Sequence, residues 1–198
     1  MERITIQVGS YEVNCSALID GGRAWIVDPG SDPDAIEATL AKAKAEPELI
    51  LLTHAHFDHI GAVSGLQTRH PGLPVYLHPA DFPALGHPMN QFPPEYPLAP
   101  VPANLRDCRD LEGVTVIETP GHTPGGCCYY FPSNSLLLSG DTLFAGSVGR
   151  TDFPGGDMKT LMESLAKLLA LPDSTTVVPG HGPLTTIGAE RRGNPFLC

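Results

Sequence analysis

One short run of histidine and aspartate, directly after an aliphatic segment, limits the ways in which this chain can fold. Residues 50–62 read ILLTHAHFDHIGA, and three of the eight histidines fall within residues 54–59. Alternate residues of extended backbone point to one side, so we expect His54 and His56 to project together. Asp58 and His59 follow after the chain turns toward a helix. The spacing therefore predicts ligands for two neighbouring metal ions.

Three further candidate ligands each follow a predicted strand and have glycine beside them. They are His122 after VTVIE, Asp141 after SLLL and His181 after TTVV. Neighbouring strand ends meet at one edge of a sheet, where folds of this kind place their sites. We therefore expect seven nitrogen and oxygen ligands to converge from four strand ends.

This ligand set contains imidazole and carboxylate but no thiolate, which suits zinc, iron or manganese. We predict two divalent ions about 3.5–4 Å apart, as in other two-metal hydrolytic sites. Zinc is the first choice, iron and manganese are the alternatives, and Asp141 is the natural bridge between the two ions.

A lone histidine is more often a surface or core residue than a ligand, and we place His70, His78 and His87 in that class. The cluster at residues 54–59 differs, because imidazoles packed together repel one another on protonation and lose water on burial. A bound cation removes both costs.

Composition excludes several classes of protein. The 198 residues suit one domain, and 41% hydrophobic with 17% charged residues indicates a globular chain. A net charge of −10 argues against binding to nucleic acid, which needs a basic face, and against an anionic membrane surface. We therefore expect a small-molecule substrate as the partner; oligomeric state is not predicted.

The five cysteines form no CxxC pair and are odd in number, which favours reduced structural thiols. The N-terminal residues lack the apolar run of a signal peptide, and no apolar run approaches the ~20 residues of a membrane span. These features predict a soluble, cytoplasmic protein.

The remaining pattern alternates strands with helices in two similar halves. Residues 3–30 read as a β meander with a turn at Gly21–Gly22. Asp32 and Asp157 are predicted to cap one helix in each half. Residues 87–103 contain six prolines, which predicts a long loop, either an ordered flap or a mobile lid. We expect it to roof the site and limit substrate size.

THAHFDH, with His122, Asp141 and His181 in these contexts, resembles the metallo-β-lactamase superfamily. The segments SGDTLFAGSVGRTDFPGGD, PGHGP and NPFL are most similar to short, single-domain glyoxalase II-like hydrolases. The resemblance implies one domain over residues 1–198. It also implies an α+β fold, the αβ/βα sandwich of two mixed β-sheets flanked by helices.

The resemblance assigns a role to each ligand. His54, His56 and His122 would bind the first metal, and Asp58, His59 and His181 the second, with Asp141 bridging. Hydroxide formed from water on the metals would attack an ester-like carbonyl, with Asp58 aiming its lone pair. Asp28, in IVDPG, matches a family aspartate that supports the metal loops, although a turn residue before Pro-Gly is an equal reading.

Glyoxalase II hydrolyses the thioester S-lactoylglutathione, which is the substrate that the resemblance implies. Arg150 falls where a basic residue of that family contacts glutathione, but it could equally pair with Asp152 or Asp157. Asp152 stands where the family has tyrosine, and the chain ends without the helical domain of longer glyoxalases II. Arg191 and Arg192 are alternative contacts or simply solvated side chains.

Other functions remain open at this point. Persulfide dioxygenases share the GRTDF stretch and would hold one iron through His56, His122 and Asp141. The β-lactam-degrading members with three-histidine first sites usually carry a cysteine at the position of Asp141, or act outside the cytoplasm. A nuclease would need a basic surface or an extra domain. A non-enzymatic metal store would bind metal without turnover.

Overall fold

The computed structural model describes residues 1–197, and its backbone forms two compact units. The first unit spans Met1–Asp110, and the second begins at Leu111. Each unit has its own sheet, helices and apolar core. The expectation of one domain over residues 1–198 stays a prediction.

The first unit contains a six-stranded mixed sheet with its strands in chain order. The strands are β1 (Glu2–Val8), β2 (Val13–Asp20), β3 (Arg23–Val27), β4 (Glu46–Leu51), β5 (Val75–Leu77) and β6 (Leu105–Asp107). Strands β1 to β3 pair antiparallel, as the predicted meander requires, and β3 to β6 pair parallel. Gly21 and Gly22 adopt φ of +55° and +80°, which suits the tight turn between β2 and β3.

Helices of the first unit cover one face of this sheet. They are α1 (Pro33–Ala43), α2 (Phe57–Ile60) and α3 (Val63–Arg69). Ile36 and Leu40 of α1 and Leu66 of α3 are buried in one core with Ile26 and Ile50 of the sheet. Apolar residues at helical spacing therefore attach the helices to the strands.

Asp32 occupies the predicted N-cap position of α1, but its side chain does not cap the helix. Pro33 does open α1, but Asp32 has a φ of +54° and makes no side-chain cap hydrogen bond. Its carboxylate instead accepts a hydrogen bond from the backbone N–H of Gly9 at 2.7 Å. A contact to a distant turn replaces the local one, which the sequence pattern could not indicate.

The second unit contains a five-stranded mixed sheet with the order β13-β12-β9-β8-β7. The strands are β7 (Thr115–Glu118), β8 (Cys127–Phe131), β9 (Leu136–Gly140), β12 (Thr176–Pro179) and β13 (Thr185–Thr186). Strand β9 is parallel to β12 and antiparallel to β8, which is antiparallel to β7. Strands β7, β9 and β12 therefore run in one direction and end at one edge of the sheet.

Two helices accompany this sheet, α4 (Met158–Leu168) and α5 (Ile187–Gly193). Leu161 and Leu165 of α4 and Ile187 of α5 share an apolar core with Leu137 and Val177 of the sheet. Asp157 caps α4 as predicted, accepting a hydrogen bond from the N–H of Thr160 at 2.7 Å. The two sheets are mixed and flanked by helices, which confirms the predicted α+β class.

Short elements of the second unit were not predicted. A hairpin of β10 (Leu143–Phe144) and β11 (Ser147–Val148) follows β9, and α5 is the last helix of the described residues. The buried carboxylate of Glu190 in α5 accepts a hydrogen bond from the N–H of Gly146 at 2.8 Å and so holds the hairpin turn. Two-residue strands carry no periodicity, because a period of two needs at least four residues to be recognised.

The proline-rich segment forms a loop, as predicted. Between residues 87 and 103 only an isolated bridge between Phe92 and Tyr96 interrupts the irregular backbone. Among residues 1–197, no helix has both the length and the apolar character that crossing a membrane requires. The thiols at Cys15, Cys108, Cys127 and Cys128 are buried, and the expectation for Cys198 lies outside the described residues.

Candidate metal centre

The predicted histidine pair lies just beyond the end of β4. His54 and His56 come together there with their ring centroids 4.8 Å apart. His59, in the first turn of α2, places its ring centroid 4.1 Å from that of His54. His54 and His59 are buried, and Asp58 is only 9% exposed. The first unit therefore gathers all four predicted ligands of the HxHxDH segment.

Asp28 supports this segment from the neighbouring strand end. Strands β3 and β4 are parallel, so Asp28 after β3 lies beside Thr53 after β4. The Asp28 carboxylate accepts hydrogen bonds from the Thr53 N–H at 2.8 Å and from the Thr53 hydroxyl at 2.7 Å. Its Oδ2 also lies 3.1 Å from Nδ1 of His59. Asp28 therefore does more than form a turn before Pro-Gly.

The hydrogen bonds of Thr53 assign the tautomer of His54. The Thr53 hydroxyl gives its proton to Asp28, so its oxygen accepts from His54 Nδ1, 3.0 Å away. The His54 ring then carries its lone pair on Nε2, the nitrogen through which a metal would be bound.

Two glycines of the first unit allow backbone segments beside the histidines to lie very close together. A Cβ on Gly30 would lie 1.7 Å from the carbonyl oxygen of Asp58, and one on Gly61 would lie 2.3 Å from the Gly30 oxygen. The absence of a side chain at Gly61 therefore leaves room for the Gly30 backbone beside the ligands.

The second unit brings together the other three predicted ligands at one edge of its sheet. His122, Asp141 and His181 follow β7, β9 and β12, which end on the same side of the sheet, with β9 beside β12 and with β8 between β9 and β7. Oδ2 of Asp141 lies 3.6 Å from Nε2 of His122 and 3.6 Å from Nε2 of His181. Two ligands of one tetrahedral zinc are roughly 3.4 Å apart. The Asp141 oxygen therefore has the spacing to share one ion with each imidazole.

The tautomer of His122 is assigned by a backbone carbonyl. Nδ1 of His122 donates to the carbonyl oxygen of Arg150 at 2.7 Å, because a carbonyl can only accept. Nε2, which faces Asp141, then carries the lone pair. Gly149 permits this arrangement, since a Cβ there would lie 1.9 Å from the Asp141 carbonyl oxygen.

The Arg150 side chain pairs with Asp152. Nε and one terminal nitrogen of Arg150 each donate to an Asp152 oxygen at 2.7 Å. The guanidinium also lies over the Phe153 ring, 4.0 Å from its centroid. This pair lowers the pKa of Asp152 to about 2. Both side chains are exposed. A substrate-binding role for Arg150 stays a prediction.

Other candidates have local partners. His70 lies 2.8 Å from Glu37, and Nδ1 of His78 and of His87 accepts a backbone N–H two residues ahead. Arg191 donates to the carbonyl oxygen of Leu171 at 3.0 Å, which joins α5 to the turn that follows α4.

The sequence did not point to every residue of the centre. Thr53, Asp81 and Asn90 were not singled out, although each hydrogen-bonds within the histidine segment. Thr53 directly precedes the histidines, which is a usable signal. Asp81 and Asn90 carry none, because they act on backbone from a different part of the chain.

Comparison with known proteins gives the family. A profile of the metallo-beta-lactamase superfamily matches residues 8–181 of this chain. The chain belongs to the metallo-beta-lactamase superfamily. The match includes every candidate ligand in both units, and the fold is the metallo-beta-lactamase fold.

Relatives that match nearly the whole chain belong to this superfamily of metallo-hydrolases. "Probable metallo-hydrolase YqgX" of Bacillus subtilis is 38% identical, over 96% of this chain and 94% of its own. "Hydroxyacylglutathione hydrolase GloC" of Haemophilus influenzae is 34% identical, over 97% of this chain and 96% of its own. The superfamily and these relatives support a metal-dependent hydrolase.

Solved structures agree in fold. The BLEG-1 B3 metallo-beta-lactamase has a TM-score of 0.89 and 39% identity, and the match covers 99% of both chains. TTHA1623, solved in a di-iron-bound form, has a TM-score of 0.84 and 42% identity, over 98% of this chain and 100% of its own.

Proposed function

We propose that this member of the superfamily hydrolyses a small-molecule thioester such as S-lactoylglutathione. The observation that carries the proposal is the full-length similarity to a hydroxyacylglutathione hydrolase. The acidic net charge of −10 argues against a nucleic acid or an anionic membrane as its partner.

The proposed metal centre uses all seven predicted ligands. His54, His56 and His122 would hold one divalent ion, and Asp58, His59 and His181 the other, with Asp141 bridging. The donor set supports this, because the assigned tautomers present Nε2 of His54 and of His122. Zinc remains our first choice, and the di-iron-bound neighbour supports iron.

The reaction divides between the ions and the chain. When bound, two cations lower the pKa of a water from ~15.7 toward ~7 and stabilise negative charge on a carbonyl oxygen. Asp58 would accept a hydrogen bond from that water and so aim its lone pair at the thioester carbon. Water adds to the acyl group, the carbon–sulfur bond breaks, and the products are a carboxylic acid and a thiol.

The test is metal quantification on purified protein, followed by hydrolysis of thioesters that differ in charge. We expect two ions per chain and faster turnover of S-lactoylglutathione than of an uncharged thioester. Metal uptake without hydrolysis of any thioester would instead indicate a metal store.

The alternative in a different reaction class is a persulfide dioxygenase with one iron at His56, His122 and Asp141. It predicts one iron per chain and O₂ uptake that depends on glutathione persulfide, measured with an oxygen electrode. That outcome would replace the hydrolase proposal.

Hydrolysis of β-lactams is a second candidate, which the similarity to the BLEG-1 structure favours. The same metal-loaded protein should then cleave a chromogenic cephalosporin faster than any thioester. We propose the thioester because of the similarity to the hydroxyacylglutathione hydrolase, and the comparison of the two rates decides.

A further inference from the structure

Two side chains form hydrogen bonds with the backbone between the first two histidines. Ala55 separates His54 from His56 and is fully buried. Its N–H donates to Oδ2 of Asp81 at 3.0 Å, and its carbonyl oxygen accepts from Nδ2 of Asn90 at 2.7 Å. Both polar groups of this one residue are thus bonded to side chains rather than to a neighbouring strand.

Asp81 and Asn90, which form these hydrogen bonds, are both buried and lie close together in the chain. Asp81 is 1% exposed and lies in a 3₁₀ turn, Pro79–Ala84, that follows β5. Asn90 is 9% exposed and lies in the proline-rich loop. It donates a second hydrogen bond to the carbonyl oxygen of Ala84 at 3.1 Å, which ties its carboxamide to the same turn as Asp81.

We infer that Asp81 and Asn90 are positioning residues that set the spacing of His54 and His56 for metal binding. The inference rests on the proposed function, in which both histidines bind one ion. In extended backbone the direction of alternate side chains depends on the peptide groups between them. Rotation of the Ala55 peptide groups would separate the two rings, and the two hydrogen bonds oppose that rotation.

The arrangement also joins the proline-rich loop to the metal centre. Asn90 lies within residues 87–103, so the loop that we expect to limit substrate size starts from a contact with the ligand segment. Buried backbone groups need partners in any case. A purely structural role would therefore lower stability without changing how the folded protein binds metal.

The experiment measures metal binding by folded variants. Asp81→Ala removes the acceptor, and Asn90→Asp keeps the shape of the side chain but removes its donor. Asp81→Asn keeps an oxygen acceptor and serves as the conservative rescue. Gln91→Ala is the matched control, because the Gln91 side chain donates to the carbonyl oxygen of Pro88 within its own loop, at 2.9 Å, and not to the histidine segment. Circular dichroism confirms that each variant is folded.

We expect Asp81→Ala and Asn90→Asp to bind zinc about 10–100-fold more weakly in competition with a chromophoric chelator. The visible absorption bands of their Co²⁺ forms should shift, because the ligand geometry changes. Asp81→Asn and Gln91→Ala should match the wild type in both measurements.

The outcomes separate this inference from the proposed function. Wild-type affinity and an unchanged Co²⁺ spectrum in folded Asp81→Ala and Asn90→Asp would overturn the inference alone. A wild-type protein that binds no metal would overturn the proposed function and the positioning role with it. A wild type that binds metal but cleaves no thioester would overturn only the proposed activity.

Discussion

Thr53 donates two hydrogen bonds to the carboxylate of Asp28, one from its backbone N–H and one from its hydroxyl. The same hydroxyl oxygen lies 3.0 Å from Nδ1 of His54. A family aspartate thus acts on a candidate ligand through an intervening threonine. The position of Asp28 follows from parallel pairing, which sets it beside Thr53 at the ends of β3 and β4.

Replacement of the threonine hydroxyl tests this relationship. Thr53→Val keeps the shape of the side chain, but Asp28 loses one donor and His54 loses the acceptor that fixes its tautomer. We expect metal affinity to fall about 10–100-fold and the free energy of unfolding to fall by about 1–3 kcal/mol. Chelator competition and urea denaturation measure the two effects. Thr53→Ser is the control, and a Thr53→Val protein with unchanged metal affinity would contradict the role.

Asp58 is the predicted catalytic carboxylate. Asp58→Asn keeps a ligating oxygen but accepts a hydrogen bond from the attacking water less strongly. We expect kcat for a thioester to fall roughly 10²–10⁴-fold while metal still binds. Steady-state kinetics and metal quantification on the same sample separate the two effects. Asp20→Asn is a control at an exposed carboxylate. An Asp58→Asn enzyme with full kcat would remove Asp58 from the chemistry.

Local sequence pattern predicts the ligands because each is attached to a recognisable strand end. The HxHxDH run follows a buried strand, and His122, Asp141 and His181 each follow another. The parallel ends of β9 and β12 bring Asp141 and His181 together, as the predicted clustering requires.

The residues that hold those ligands could not be predicted in the same way. Asn90 acts on Ala55 across 35 positions of sequence, and His122 donates to a backbone carbonyl that any residue could supply. Asp32 stands at the N-cap of α1, but its carboxylate accepts from a distant N–H instead of capping the helix. Contacts of this kind depend on tertiary structure, which local propensity does not contain.

The lack of a side chain at Gly149 allows its backbone to pass close to the backbone of Asp141. In Gly149→Ala the added Cβ would lie 1.9 Å from the Asp141 carbonyl oxygen and 3.3 Å from Cβ of His122. The backbone must move, so we expect a loss of about 3 kcal/mol in the free energy of unfolding and fewer bound ions per chain. Gly193→Ala is the control, since a Cβ there meets nothing within 4 Å. Thermal denaturation and metal quantification check both, and a fully loaded Gly149→Ala protein would refute the expectation.

We expect Arg150 to exchange Asp152 for a substrate carboxylate, because an exposed ion pair is weak. We expect Arg150→Ala to raise KM for S-lactoylglutathione on the order of tenfold and to leave KM for an uncharged thioester unchanged. Arg109→Ala is the matched control, since Arg109 forms a similar exposed pair with Asp107. Equal KM changes for both substrates would argue for a loop-holding role.

The pH dependence of this effect follows from Asp152. Its pKa is lowered from 3.8 to about 2, chiefly by the hydrogen bond from Arg150. Because the carboxyl pKa is lowered, the ion pair contributes its full stabilisation at pH values above the ordinary carboxyl pKa. That stabilisation is lost as the pH falls toward 2. Between pH 5 and 9 the pair stays charged. The KM ratio of wild type to Arg150→Ala should therefore be constant there, and a ratio that changes across that range would contradict the assignment.

Phe92 joins the proline-rich loop to the histidine segment through aromatic contacts. Its ring stacks on that of Phe57 with centroids 6.2 Å apart, and it meets Tyr11 edge-on at 6.0 Å. Phe57 lies between His56 and Asp58 in the chain, so the loop borders the candidate metal centre. The ring of Phe92 is 50% exposed, which leaves a face that a substrate can meet.

We expect Phe92→Ala to enlarge the space between the loop and the histidine segment and so to admit larger substrates. The kcat/KM ratio of a hexanoyl to an acetyl thioester of the same thiol should rise by about tenfold. Val101→Ala, at a residue 59% exposed in the same loop, is the control and should leave the ratio unchanged. Stability should change little, because half of the removed ring was already in water. An unaltered ratio in Phe92→Ala would show that the loop does not select substrates by size.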